Sequence, residues 1–260
     1  MPRGWVWIVG ALALGLAGGC AKTKAPAPLL VFCGSSMAGP AQEVGREFAT
    51  AQRFEVRFDL GGSETLLPRL LTGAPADIFV CHDPFAAKLE EAKLAAGVVA
   101  VGWLRPVLLV RPGNPLKLAG LADLAREGLK VGIGDPRYST CGELFVAELE
   151  RQKLKDAVMR NVVLQGRTHA EIANGLVLGP LDAVVVWNFI APEYGAKVQE
   201  VPTPDTYPET RVTVVGLAKA PNPAARDAFL EKCREPAVRE LFAKHGYGRG
   251  GLPPPPAPAP

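Results

Sequence analysis

Four short segments combine glycine with small hydroxyl residues where an apolar run gives way to a helical period. They are Cys33-Gly34-Ser35-Ser36, Gly61-Gly62-Ser63-Glu64, Gly134-Asp135-Pro136 running on to Ser139-Thr140-Cys141-Gly142, and Gly166-Arg167-Thr168-His169. Glycine lets another group come close to the backbone, and serine and threonine donate from hydroxyls. The first-turn N–H groups of each following helix have no partner inside it. Turns of this kind facing one cleft bind an anion through neutral hydrogen bonds and helix dipoles. Taken singly, each Ser or Thr is equally well a helix cap; the number of such turns is what points to a site.

The strand ends carry a second reading. Cys33, Cys81, His82, Cys141 and His169 lie near strand ends or helix starts, and thiolate with imidazole suits zinc or copper. None has the paired spacing of a C-x-x-C site. Signals for catalysis are weaker. Gly132-Ile133-Gly134 opens like a dinucleotide turn, but Arg137 stands where the third glycine belongs. Neither Ser36 nor Ser63 sits in a G-x-S-x-G elbow, and no P-loop occurs. The chain reads as a binding protein rather than an enzyme, and no cofactor is expected.

Charge narrows the partners. With 29 Lys and Arg against 26 Asp and Glu, and no basic stripe interleaved with aromatics, nucleic acid is excluded. The N-terminus points elsewhere. Arg3 precedes an apolar run from Trp5 to Gly19, which ends in Leu16-Ala17-Gly18-Gly19-Cys20. Small residues before a cysteine mark a lipoprotein leader, too short to span a bilayer comfortably. Residues 1–19 are therefore expected to be removed and Cys20 to carry lipid, although Ala17 stands where a branched aliphatic residue is usual. An ordinary cleaved leader with an incidental cysteine is the alternative. Either way the mature protein works outside the cytoplasm, periplasmic or at the cell surface. Residues 20–28 read as the lipidated cysteine and its tether, and 249–260 as a disordered Pro-rich tail. Cys33, Cys81, Cys141 and Cys233 remain, with three ways to pair. A bridge between the strand ends at Cys33 and Cys81 is conceivable, and buried inert thiols are as good a reading.

The elements that must hold these turns alternate. The short apolar run Leu29–Cys33 reads as a strand buried on both faces, and Asp77–Cys81, Val107–Arg111, Lys130–Ile133 and Asp182–Trp187 read as strands; helical periods follow most of them. Phe54–Leu60 alternates as a half-buried strand, Pro84–Ala95 reads as a helix closed by Gly97, and Leu121–Arg126 as another. Strand–helix alternation implies an α/β protein with parallel sheets covered on both faces, and ligands at the carboxyl ends of the strands.

The order of motifs resembles the periplasmic molybdate/tungstate-binding proteins of ABC importers, within the type II extracellular solute-binding family. The matching stretches are Val31–Ser36, Gly62-Ser63, Gly73–Val80, Ile133–Pro136, Asp182–Trp187 and Leu241–Gly248, so the resemblance spans about Leu29 to Gly248. It implies two Rossmann-like lobes of discontinuous connectivity: residues 29–104 plus 203–248, and residues 105–202. The hinge would lie near Trp103–Pro106 and Val201–Pro204. It further implies a tetrahedral oxyanion held in the cleft without a cationic side chain. Ser36 and Ser63 would donate from the first lobe; backbone N–H at Cys141 and His169 and the Trp187 side chain would donate from the second. Family members usually carry Ala, an aliphatic residue and Tyr at those last three positions. The implied partners are the oxyanion, molybdate or tungstate first, an ABC permease, and the membrane through the lipid, with the protein a monomer.

Overall fold

The computed structural model describes residues 27–53, 55–203, 207 and 210–248. The expected leader, the lipid site at Cys20 and the tail 249–260 lie outside the described residues.

The chain begins with β1 (Leu29–Gly34), a 3-10 turn at Ser35–Met37 and α1 (Ala38–Gln52). Then come β2 (Val56–Gly61), α2 (Ser63–Leu71), β3 (Ile78–His82), α3 (Phe85–Glu91) and the long β4 (Ala95–Leu104). After Arg105 alone, β5 (Pro106–Val110) starts a second series. It continues through β6 (Val131–Gly134), α4 (Thr140–Arg151), α5 (Lys155–Met159), β7 (Val162–Gly166), α6 (His169–Val177), β8 (Ala183–Trp187), α7 (Ile190–Tyr194) and β9 (Gln199–Val201). The chain returns in β10 (Thr210–Leu217), α8 (Pro223–Arg234), α9 (Pro236–Phe242) and a π-helical turn, Ala243–Tyr247.

Two five-stranded sheets result, ordered β2-β1-β3-β10-β4 and β7-β6-β8-β5-β9. Each is the centre of one lobe. Inner strands are continuous apolar runs because helices cover both their faces: β3, β5 and β8 are buried at every residue, whereas no residue of the edge strand β2 is fully buried. The sheets are mixed, not parallel as expected. In the first, β10 runs antiparallel to both β3 and β4; in the second, β5 runs antiparallel to β8 and β9. Both reversed strands are the ones by which the chain enters a lobe from the other, so neither follows a helical crossover within its own sheet.

Phe48 of α1 meets Phe229 of α8 edge-on at 5.2 Å over one face of the first sheet, while Leu66, Leu70 and Leu89 cover the other. In the second sheet Phe145 and Leu149 cover one face, and Ile172 and Leu176 the other. The helix expected over Pro84–Ala95 stops at Glu91. Lys93 then takes a left-handed conformation (φ 55°), and the Val-rich segment after it becomes β4. The helix expected at Leu121–Arg126 is a 3-10 turn, Leu121–Ala125.

All four described cysteines are free and buried. Cys33 is in register with Val80 rather than Cys81, and that one-residue offset decides the pairing. Successive residues of a strand face opposite ways, so Cys33 packs in the core beneath α1 while Cys81 packs in the core beneath α2 and α3. Burial pushes the Cys81 and Cys233 thiols up to about 12, and Cys33 and Cys141 well above their usual value. These are inert core groups.

Candidate functional site

The carboxyl ends of six strands open on one cleft of about 430 Å³ between the lobes. The first lobe lines it with Ser35 and Ser36 after β1, Ser63 and Glu64 after β2, and His82 at the end of β3. The second lines it with Tyr138, Ser139 and Thr140 before and at the start of α4. Arg167, Thr168 and His169 follow from the turn into α6, and Trp187 and Phe189 from the end of β8. The N-termini of α1, α2, α4 and α6 therefore point at a common space.

Not every hydroxyl in these turns is free for a ligand. Ser139 Oγ accepts from Gly142 N and Thr168 Oγ1 from Glu171 N, each capping its helix. Ser63 is different. Gly62, not Ser63, is the N-cap of α2, and Ser63 Oγ is buried with no hydrogen-bond partner. A buried hydroxyl without a partner costs stability. Ser36 lines the cleft from a half-buried position, and its carbonyl accepts the Tyr247 hydroxyl. Cys141 does not line the cleft; its side chain is wholly buried, and only its place in the first turn of α4 brings its N–H near. Trp187 lines the cleft at 2% exposure, its indole meeting His82 at 5.8 Å and His169 at 6.0 Å between ring centroids. His169 opens α6, and its Nδ1 is buried without a partner.

A seam of contacts joins the lobes behind this cleft. Asn188 follows Trp187; its Oδ1 accepts from Arg105 N at 3.0 Å and its Nδ2 donates to Gly246 O at 2.7 Å. The Tyr247 ring stacks on Phe189, centroids 5.3 Å apart and planes 3° from parallel. Gly246 has φ 92°, and a Cβ there would meet Phe189 Cα at 2.7 Å, so only glycine fits. Neither Asn188 nor Tyr247 is singled out by the sequence reading. Their partners lie tens to hundreds of residues away, and no local spacing announces them.

The family model for bacterial extracellular solute-binding proteins matches residues 29–248. The chain belongs to that family. Among curated relatives, the molybdate-binding protein ModA of Mycobacterium bovis is 25% identical over 233 residues, covering 87% of each chain. Among solved structures, the periplasmic molybdate-binding protein of Azotobacter vinelandii superposes with a TM-score of 0.70 at 18% identity, covering 85% of this chain and 99% of that one. The sulfate-binding protein SubI of Mycobacterium tuberculosis superposes at 0.67 and 19% identity, covering 85% of this chain and 86% of its own. This solute-binding protein is not an enzyme: the proteins it resembles bind rather than transform.

The geometry does not favour the soft-metal reading. Among the described residues no three of His, Cys, Asp and Glu come together to hold an ion. Of the five candidates, Cys33 and Cys81 face opposite cores, Cys141 is in a core, and only His82 and His169 line the cleft.

The cleft also carries charged side chains, one of them the kind of cation that the resemblance did not imply. Arg167 lines it, its guanidinium 4.3 Å from the Tyr138 ring centroid, as do Glu64 and Glu193. Arg137 is committed to Asp135, reaching Oδ2 at 2.6 Å and Oδ1 at 3.0 Å, and holds that carboxyl below its usual range. Burial, and then the neighbouring His82, lower His169 to about 3; burial lowers His82 as well.

Those two histidines set a pH dependence. An imidazole depressed in the folded state stays neutral while the unfolded chain takes up its proton, so stability is full above the unfolded value of 6.5 and is lost as pH falls toward the folded one. The slope from His169 is up to about 1.4 kcal/mol per pH unit below that point. Urea unfolding of the ligand-free protein at a series of pH values is expected to show a shallower loss in His169→Asn than in the wild type.

Proposed function

We propose that this is an extracytoplasmic lipoprotein, anchored through Cys20, that captures a tetrahedral oxyanion between its lobes and delivers it to an ABC permease. Molybdate or tungstate comes first among the ligands. The observation that carries the reading is the buried, unpartnered hydroxyl of Ser63, set at the start of α2 where three other helix N-termini face the same cleft. Neutral donors and oriented N–H groups suit an anion whose charge is spread over several oxygens. Curated relatives named as molybdate-binding, matched over most of their length, support that choice. The sulfate-binding structure shares the fold, so the ligand rests on the site rather than on the architecture. Ser36, the N–H groups at Cys141 and His169, and the Trp187 indole are the further donors proposed.

The lobes proposed are residues 29–104 with 203–248, and residues 105–202, hinged at the segments near Trp103–Pro106 and Val201–Pro204. Ligand bridging both would shift the equilibrium toward the closed form, the form that docks on the permease. The protein would act as a monomer and need no cofactor.

Thermal unfolding of the mature protein against molybdate, tungstate, sulfate and phosphate tests this. A ligand bound only by the folded state adds about 2.7 kcal/mol at a hundredfold excess over its dissociation constant. A rise with molybdate or tungstate is expected; no rise with any oxyanion sinks the reading. Ser63→Ala sharpens it through opposite signs. Without ligand the variant is expected to be as stable as wild type or more so, because an unpaired buried hydroxyl is gone. With ligand it is expected to bind roughly five- to tenfold more weakly, the loss of about 1 kcal/mol for one hydrogen bond.

A further inference from the structure

The cleft holds two imidazoles that nothing in the capture of an anion by neutral donors requires. His82 and His169 come from different lobes and meet across the Trp187 indole, 5.8 and 6.0 Å from it between centroids. Nδ1 of His82 lies 2.8 Å from the carbonyl oxygen of Asp83. A carbonyl only accepts, so this nitrogen carries the ring's proton and the neutral ring keeps Nε2 as a bare lone pair. Nδ1 of His169 is buried and has no partner at all. A lone pair facing an oxyanion repels it, and a proton placed between the two turns that repulsion into a charge-assisted hydrogen bond.

The fixed charges make the same demand. One arginine, Arg167, lines the cleft against two glutamates, Glu64 and Glu193. Around His82 the other charged groups are Asp83, which accepts from Arg211 Nε at 3.0 Å, and Lys88, whose Nζ sits over the Phe85 ring that packs on the imidazole. Around His169 they are Arg167, two residues before it in the turn into α6, and Glu171, in the first turn of the helix. The lining is thus net negative while both imidazoles are neutral, a poor host for a dianion alone.

We propose that His82 and His169 are specificity residues that make the cleft take up its oxyanion together with one proton, shared between an imidazole nitrogen and an anion oxygen. The proposal rests on the oxyanion reading and narrows its ligand class to oxyanions basic enough to share a proton there. Sulfate, the weaker base, is disfavoured against molybdate.

Isothermal titration calorimetry of the whole protein with sodium molybdate, in buffers of different ionisation heat between about pH 6 and 8, tests it. The expected result is uptake of about one proton per anion, with affinity falling about tenfold for each unit rise in pH across the range where uptake is complete. The double variant His82→Gln, His169→Asn, which offers amide donors instead, is expected to bind molybdate with little proton uptake. Binding by the wild type with no uptake and constant affinity overturns this proposal and leaves the oxyanion reading standing, as does sulfate binding as tightly as molybdate. Undiminished uptake in the double variant overturns the assignment to these histidines. No binding of any oxyanion at any pH overturns both readings. The wild-type measurement decides the linkage even if the variant does not fold.

Discussion

Gly142→Ala is expected to cost about 3 kcal/mol and to lower the unfolding midpoint by roughly 10 °C, a large effect for one methyl group. Gly142 lies in the first turn of α4, and a Cβ there would overlap the carbonyl of Gly134 at the end of β6 and meet Pro136 N at 3.1 Å. Both obstacles are backbone, so no side-chain rotation relieves them. The helix has to slide away from the sheet, and its N-terminus is one of the four that face the cleft. Binding should therefore fall further than stability does: at a temperature where the variant is fully folded, oxyanion affinity is expected to drop more than tenfold. Circular dichroism melts paired with calorimetry separate the two effects. An alanine variant that melts and binds like wild type would mean that α4 does not need this close approach.

Asn188→Ala is expected to cost a similar amount, roughly 3 kcal/mol, by a different route. The side chain is buried, and its loss strands the N–H of Arg105 and the carbonyl of Gly246. One of these belongs to the segment passing between the lobes and the other to the C-terminal turn. Asn188→Asp keeps the acceptor toward Arg105 but loses the donor toward Gly246, and replaces it with a carboxylate facing a carbonyl. It is expected to be no better than alanine. Small-angle scattering of the ligand-free variants is expected to show a broader distribution of interlobe angles. An unchanged profile together with an unchanged melt would remove Asn188 from any role at the seam.

Much of the fold was legible because its physics is local. Leu29–Cys33, Asp77–Cys81 and Asp182–Trp187 are apolar without alternation, which only a strand covered on both faces tolerates. The turns after them carry Gly, Ser and Thr because helix starts need partners for their N–H groups. Strand direction was not legible. Nothing in Arg211–Leu217 or Val107–Arg111 says that the neighbour runs the other way, since that depends on which lobe the chain has just left. Ala95–Leu104 was hidden for a related reason. Its valines sit just beyond a helix whose period in the sequence runs on to Ala95, and a left-handed lysine ends it early.

The site divides in the same way. Ser36, Ser63, His169 and Trp187, legible as candidates in the sequence, line one cleft. The sequence could not tell that Ser139 and Thr168 spend their hydroxyls on caps while Ser63 keeps its own unpaired. From the sequence His82 reads as a soft-metal ligand or a weak candidate to serve a nucleophile, not as a neighbour of an anion. The register of β1 on β3 turns Cys33 and Cys81 into opposite cores and leaves the imidazole at the mouth of the strand.

The position of β10 carries a consequence for how the protein is made. This strand lies between β3 and β4, and among the described residues β4 pairs with no other strand. A chain emerging from its N-terminus thus has β1 to β4 in hand but cannot close their sheet until residues 210–217 arrive. Every strand of the other sheet, from Pro106 to Val201, is complete before then. The lobe encoded in the middle can finish first, and the one that begins the chain must wait with an open gap in its sheet. The turn that ends in Tyr247 is the last of the described elements, and with it comes the hydroxyl that steadies Ser36. On the proposed reading, a nascent or truncated chain is expected to capture no solute until Tyr247 is in place.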